Sequence, residues 1–89
     1  MIACEGGRCR IDGDVTVDTV GGLLRALQPQ LAAGMRQLDF SGIGRADSAA
    51  LALIFGAQRQ AGGALTCIGL PEGFRTLAEL YGVSALLPA

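Results

Sequence analysis

The sequence predicts a small α/β domain in which a single mixed sheet carries helices packed mainly on one face. The first observation behind this prediction is the order of the elements, because strand and helix patterns alternate along the chain and Gly, Pro or Asp residues separate them. The second is the length, because 89 residues suffice for one hydrophobic core. We therefore expect one domain over residues 1–89, with strand–helix–strand units that place successive strands in one sheet.

The N-terminal part of the chain predicts a hairpin followed by a helix. Residues 8–17 alternate in part between apolar and polar side chains, and Gly13 between two aspartates predicts a turn that joins two short strands. Asp18 or Thr19 can cap the helix that follows, and Pro29 is expected to end or kink it. The apolar residues of this helix recur at helical spacing: Val20, Leu23, Leu24, Leu27 and Leu31.

The rest of the chain predicts two strands and two further helices. Residues 35–43 and 64–70 are strand candidates, and the second is short and apolar, as a buried strand should be. A helix is expected over residues 49–60, before the Gly62-Gly63 pair. Pro71 occupies the position at which proline starts a helix. The last helix has one inward stripe, formed by Phe74, Leu77, Ala78 and Tyr81, and residues 83–87 are expected to pack back as a tail.

Composition and charge exclude several classes of function. All seven cations are arginines, and they are scattered along the chain rather than clustered. A nucleic-acid interface needs a basic stripe, so none is expected. No uncharged apolar run approaches the ~18 residues that span a membrane, so direct membrane insertion is not expected either. The first ten residues include Glu5, Arg8 and Arg10 and contain no signal-peptide core, which predicts a cytoplasmic protein.

The chain offers little that could support catalysis or bind a metal. It has three cysteines, no histidine and no C-x-x-C pair, so the usual zinc spacings are absent. Cys4, Cys9 and Cys67 are expected to be reduced thiols that serve as small apolar residues. No base is paired with a nucleophile. We expect no cofactor and no enzymatic activity.

The Asp47-Ser48 pair lies between the strand predicted over 35–43 and the helix predicted over 49–60, and it has two interpretations. Either side chain can accept a hydrogen bond from the first backbone N–H groups of the helix, which lack partners within it. Ser48 can also be a regulatory phosphorylation site, because a phosphate would gain from the helix N-terminus and add about −1.5 to −2 charges beside Asp47. Gly42 and Gly44 are not followed by the third glycine of a dinucleotide-binding fingerprint.

The helix over 49–60 has an unusual predicted outer side. Its apolar residues Leu51, Ile54 and Phe55 are expected to face the sheet, and Leu53 points away from them. Three small residues continue this outer side: Ala52, Gly56 and Ala57. Two interpretations remain open: the helix is sandwiched within its own domain, or a protein partner covers it while Arg59 and its glutamine neighbours form the polar rim.

These residues resemble the STAS family, named for sulfate transporters and anti-sigma factor antagonists. The resemblance covers the chain from about Arg10 to Pro88. It rests mainly on Asp39-Phe40-Ser41 followed by Asp47-Ser48-Ala49-Ala50-Leu51, with support from Gly62-Gly63 and Leu86-Leu87-Pro88. The family fold is a small sheet with helices on one side, so the resemblance implies a STAS-like single mixed sheet.

Two branches of that family are compatible with the motifs. The run from Arg45 to Leu53 and the run Thr76-Leu77-Ala78-Glu79-Leu80-Tyr81 are similar to the MlaB-like accessory subunit of phospholipid-transport ABC complexes, which implies binding to a cytoplasmic ABC transporter ATPase. Ser48 itself matches the serine of anti-sigma factor antagonists, which an anti-sigma factor kinase phosphorylates. The predicted partner interface consists of Asp47, Ser48, Ala49, Ala52, Leu53, Gly56, Arg59, Thr76 and Tyr81.

Overall fold

The computed structural model describes residues 2–80 and residue 82, and it contains four strands and three helices. Their bounds are β1 Ile2–Glu5, β2 Arg8–Val15, α1 Val20–Ala32, β3 Gln37–Ala46, α2 Ala49–Gln60, β4 Thr66–Ile68 and α3 Glu72–Leu80. The four strands form one sheet in the order β1-β2-β3-β4. Because β1 pairs antiparallel with β2 while the other pairs are parallel, the sheet is mixed, and the predicted fold class is confirmed.

The predicted position of the hairpin was wrong. Strand β2 continues through Gly13, and the two-residue turn lies instead at Gly6 and Gly7, where Glu5 pairs with Arg8. Both turn glycines have positive φ angles, 58° and 79°, as a tight turn between twisted strands requires. The pairing of β2 with β3 shifts register on both sides of Gly13. The chain therefore has a local irregularity at Gly13 and does not reverse direction there.

Helix α1 does not end at Pro29, one of the two alternatives predicted for it, because Pro29 lies inside the helix, which continues to Ala32. Pro29 removes one N–H donor near the C-terminal end, on a part of the helix that is exposed to water. The carbonyl that loses its partner can therefore be solvated. The apolar stripe is as predicted: Leu23, Leu27 and Leu31 are buried at successive turns.

One face of the sheet carries the core. Side chains alternate along β2 and β3, so that Cys9, Ile11, Leu38 and Phe40 are fully buried, while Arg8 and Arg10 on the opposite face are exposed. The buried strand residues join residues of α1, α2 and α3 in one cluster. Within it, the rings of Phe40 in β3 and Phe74 in α3 meet edge to face at 5.7 Å between centroids. The helices therefore cover one face and leave the other open, as expected.

The cysteines are not all reduced, contrary to the prediction. Cys4 and Cys9 face each other directly across β1 and β2 and are joined by a disulfide. The turn was predicted at Gly13, whereas the register between β1 and β2 that brings the two cysteines together is set by the turn at Gly6-Gly7. Cys67 is a free, buried thiol, as predicted.

Candidate functional site

The Asp47-Ser48 turn connects the end of β3 to the start of α2, and the Asp47 carboxylate holds it in place. Its Oδ1 atom accepts a hydrogen bond from the Ala49 backbone N–H at 2.8 Å. Its Oδ2 atom accepts one from the Val17 N–H at 3.2 Å, across 30 residues of sequence. Asp47 therefore satisfies a donor at the start of α2 and also ties the loop between β2 and α1 to the turn.

Ser48 lies beside Asp47 but has a different role. Its side chain is exposed and makes no capping hydrogen bond to α2. Of the two residues that the sequence offered as caps, Asp47 is thus the one whose side chain bonds to the helix. The Ser48 hydroxyl is left facing solvent, where a partner or an enzyme can reach it.

Helix α2 buries a wider arc than the sequence predicted. The expectation that Leu53 points outward was wrong, because its side chain is 0% exposed within the core. Ala57 was also placed on the outer side and is likewise buried. The physical reason is that α2 packs against α1 as well as against the sheet, so two neighbours cover it from different directions.

Gly56 belongs to this contact between helices. A Cβ atom built on Gly56 would lie 3.4 Å from Cδ2 of Leu24, so this half-buried glycine faces α1 rather than open solvent. The absence of a side chain lets the two helices approach closely. The interpretation of α2 as sandwiched within its own domain therefore holds for Leu53, Gly56 and Ala57.

A narrower outer stripe remains on α2. Ser48, Ala52, Phe55 and Arg59 follow one another at intervals of four, three and four residues, which places them on one side of the helix. Three of them are exposed, and Phe55 is half-buried with part of its ring packed on the core. We call these four residues, with the half-buried Ala49 beside them, the docking surface.

The docking surface is short of charge. No acidic or basic residue occurs from Ser48 to Gln58, and Arg59 is the only charged residue of α2. The exposed side of a helix that faces water normally carries charged residues. This side of α2 shares three features with protein interfaces: an aromatic ring, an arginine and the absence of lysine and acidic residues.

Two residues near this surface were not predicted to belong to it. Phe55 was assigned to the sheet side, although its spacing from Ser48 places it on the outer stripe. Val17 is 73% exposed and sits in the loop that the Asp47 carboxylate holds. No pattern in the sequence marked Val17, because its position depends on a hydrogen bond to a residue far along the chain.

The remaining predicted residues lie elsewhere. Thr76 is exposed on α3, and Tyr81 lies outside the described residues, as do residues 83–87. A groove of about 280 Å³ connects Asp47 to α3, with Ile43, Pro71, Phe74 and Leu77 among its lining residues. The turn and α3 thus border a common depression, but Thr76 does not line it.

Two ionisable groups in the described part have shifted pKa values, and neither lies on the docking surface. Hydrogen bonds from the Ser41 backbone N–H and hydroxyl lower the pKa of Asp39, and the nearby Arg8 and Arg10 charges act in the same direction. Burial raises the pKa of the Cys67 thiol to about 12. Neither shift prepares a group for acid–base catalysis near neutral pH.

The described residues contain no group of three or more His, Cys, Asp or Glu side chains that could hold a metal ion. Among the helices of the same residues, none combines the length and the apolar character needed to cross a membrane.

Comparisons with known proteins agree with this architecture. The family model described as "Mlab, STAS domain" matches residues 3–88, nearly the whole chain. A solved structure titled "Structure of the Anti-Sigma Factor Antagonist SpoIIAA in its Unphosphorylated Form" superposes with a TM-score of 0.69 at 15% sequence identity, covering 96% of this chain and 82% of that chain. No curated protein sequence matches the chain. The family match and the shared fold together show that this chain is a member of the STAS family.

Proposed function

We propose that the chain is a non-catalytic accessory subunit that binds and regulates the cytoplasmic ATPase of an ABC transporter for phospholipid trafficking, and so contributes to outer-membrane lipid asymmetry. The observation that carries the proposal is the docking surface on α2, which has no charged residue before Arg59 and combines the exposed Ser48 and Ala52 with the half-buried ring of Phe55. The family match is described with the Mlab name, which supports this branch over others. The protein would then be cytoplasmic and held at the inner membrane through its partner.

The contact would be formed by a rigid helix whose start is fixed. Asp47 anchors the first turn of α2 and also Val17, so the docking surface and the exposed Val17 side chain keep a constant relative position. Preformed surfaces bind with a smaller loss of conformational freedom. Arg59 supplies a charge at the rim, where Gln60 is also exposed.

The mechanism that fits such a subunit is conformational. A protein that contacts only one arrangement of the ATPase stabilises that arrangement, by as much as its affinity differs between the two. Binding would therefore bias the assembly or closure of the ATPase dimer without a chemical step by this chain.

The experiment is a binding measurement with the ATPase encoded beside a phospholipid transporter, using the full-length chain. We expect Ala52→Arg to weaken binding at least tenfold, which corresponds to about 1.4 kcal/mol, because the guanidinium would enter the centre of the docking surface. Ala26→Arg on the exposed side of α1 is the matched control and should bind within twofold of the wild type. Wild-type affinity for Ala52→Arg, with the fold intact by circular dichroism, would remove the docking surface from the interface.

Leu53→Arg is not a suitable test of binding. Leu53 is fully buried, so a charge there would disrupt the fold itself. Ser48→Glu is the better second variant, because Ser48 is exposed and free of capping bonds. We expect it to weaken binding by adding a negative charge at the edge of the docking surface.

A second function, anti-sigma factor antagonist in a partner switch, is favoured by one observation. The Ser48 hydroxyl is exposed and has no capping role, so a kinase could phosphorylate it without first opening the helix. Incubation with an anti-sigma factor kinase and ATP would then add one phosphate, seen as a mass increase that Ser48→Ala abolishes. A chain that stays unmodified beside a phosphorylated antagonist control would rule out this alternative.

A further inference from the structure

The Cys4–Cys9 disulfide lies away from the docking surface. Cys9 pairs with Leu38 near the start of β3, whereas Asp47 follows the end of β3, where Ala46 pairs with Val15. The disulfide and the docking surface therefore occupy opposite ends of the sheet. Nothing in the proposed contact with a partner uses these two sulfur atoms.

The two cysteines differ in their exposure. Cys4 is exposed and borders two open depressions of about 250 Å³ each, one beside Gly34 at the end of α1 and the other beside Arg10 and Asp39. Cys9 is 0% exposed and belongs to the core. A small thiol can therefore approach the Cys4 sulfur directly, but it cannot approach Cys9 while β1 is in place.

Among the described strands, β1 pairs only with β2, and it buries little of its own surface. Ile2 is only half-buried, and the other three residues of β1 are exposed. Strand β2 is different, because it pairs with β3 on its other side and buries Cys9, Ile11 and Val15. Strand β1 therefore depends on its backbone pairing with β2 and on the disulfide, since its side chains bury little apolar surface.

We propose that Cys4 and Cys9 form a reversible redox site that fixes strand β1 to the sheet when oxidised and releases it when reduced by a cellular thiol such as glutathione. The step is a thiol–disulfide exchange. An external thiolate attacks Cys4 Sγ, the Cys4–Cys9 bond breaks, and its electron pair leaves on Cys9 Sγ, which takes a proton from water. A second external thiolate then attacks the external sulfur of the mixed disulfide, which yields an external disulfide and the Cys4 thiolate, later protonated.

The sulfur that leaves in the first step is the buried one. Charge on a buried atom is unfavourable, so the exchange is coupled to the opening of β1, which lets water reach Cys9. Reduction and strand release thus favour each other. Release also uncovers the N–H and C=O groups along the edge of β2, to which another strand can pair.

The experiment uses the full chain in buffers that span a range of reduced to oxidised glutathione. After quenching with N-ethylmaleimide in denaturant, the oxidised chain takes one label, at Cys67, and the reduced chain takes three. Amide hydrogen exchange is then measured by mass spectrometry on each form. We expect residues 2–5 to exchange at least tenfold faster in the reduced form, while residues 37–46 and 49–60 change less than twofold.

Cys4→Ala is the matched control, because Cys4 is exposed and its replacement leaves the core intact. This variant should show fast exchange of residues 2–5 in both oxidised and reduced buffers. Slow exchange of residues 2–5 in the reduced wild type would overturn the proposal. So would a loss of protection throughout the sheet, or a reduced chain that does not regain the intramolecular disulfide when oxidised glutathione is restored. None of these readouts depends on the ATPase.

Discussion

Helices α2 and α3 pack on the same core but expose different kinds of side chain. Helix α3 buries Phe74 and Ala78 and presents Glu72, Arg75 and Glu79 to solvent. Helix α2 has no charged residue before Arg59, although Ser48 and Ala52 are exposed. Both helices bury apolar residues in the core, α2 more of them than α3, and their outer sides differ in charge.

The contrast separates two requirements that act on a surface helix. Burial of an apolar stripe is needed for folding and is met in both helices. Charged or polar residues usually line the side that faces water, and of these two helices α3 carries the charged ones. In the function proposed above, a protein neighbour covers the outer side of α2, and the following variants compare the two helices.

The largest expected difference is in the free energy of unfolding of two leucine variants, one in α2 and one in α3. Leu53 in α2 is 0% exposed, so Leu53→Ala should lower the free energy of unfolding by about 2–5 kcal/mol through lost burial and a cavity. Leu80 in α3 is 79% exposed, and Leu80→Ala should change it by less than about 0.5 kcal/mol. Urea unfolding followed by circular dichroism measures both. Similar losses in the two variants would contradict the assignment of Leu53 to the core.

The next largest difference is in the stability lost when the acidic residue at the start of α2 or of α3 is replaced. Asp47→Ala should destabilise the protein by about 0.5–2 kcal/mol, because the Ala49 and Val17 N–H groups both lose an acceptor. Glu72 lies in the first turn of α3, where its charge interacts favourably with the helix dipole, so Glu72→Ala should cost less. Asp47→Asn keeps an oxygen acceptor and should recover part of the loss. Equal unfolding midpoints for Asp47→Ala and Glu72→Ala would show that the two hydrogen bonds accepted by Asp47 contribute no additional stability.

The sequence was sufficient for features set by local patterns. The bounds of α2 agree with the prediction, because Asp47-Ser48 and Gly62-Gly63 mark its two ends regardless of what surrounds it. The fold class was also predictable, since it depends on the alternation of strand and helix patterns. The sequence left open whether Asp47 or Ser48 caps α2, and the structure shows that the Asp47 side chain does so.

Features that depend on distant parts of the chain were not predictable. Helix α1 packs against α2 and covers Gly56, and no local pattern shows where α1 lies. The disulfide requires the register between β1 and β2, which follows from a turn at Gly6 and Gly7 that competed with a stronger turn signal at Gly13. The hydrogen bond that ties the Val17 backbone N–H to Asp47 likewise joins residues far apart in the sequence.

A smaller effect is expected on the alkylation rate of Cys67, which lies in the core that α2 and α3 share. Burial raises the pKa of the Cys67 thiol to about 12, so almost no thiolate forms at pH 8 in the folded chain. Alkylation of Cys67 by iodoacetamide at pH 8 should therefore proceed only through unfolding, and Leu53→Ala should accelerate it in proportion to the loss of stability. The oxidised wild-type chain is used, so that Cys67 is the reactive thiol observed. Alkylation at the rate of a free peptide thiol would contradict a closed core.

The smallest effect concerns the open face of the sheet, which none of the three described helices covers. Hydrogen bonds from Ser41, aided by Arg8 and Arg10, lower the pKa of Asp39 in the folded state. A lowered pKa means that the unfolded chain binds the proton more readily, so this carboxylate adds stability above its unfolded pKa and loses it as the pH falls through the folded value. Because Asp39 is open to solvent, the contribution is modest. The stability difference between the wild type and Asp39→Asn should be largest near pH 6 and shrink towards pH 3, as urea unfolding across that range can measure. A difference that stayed constant with pH would mean that the charge on Asp39 does not contribute to stability.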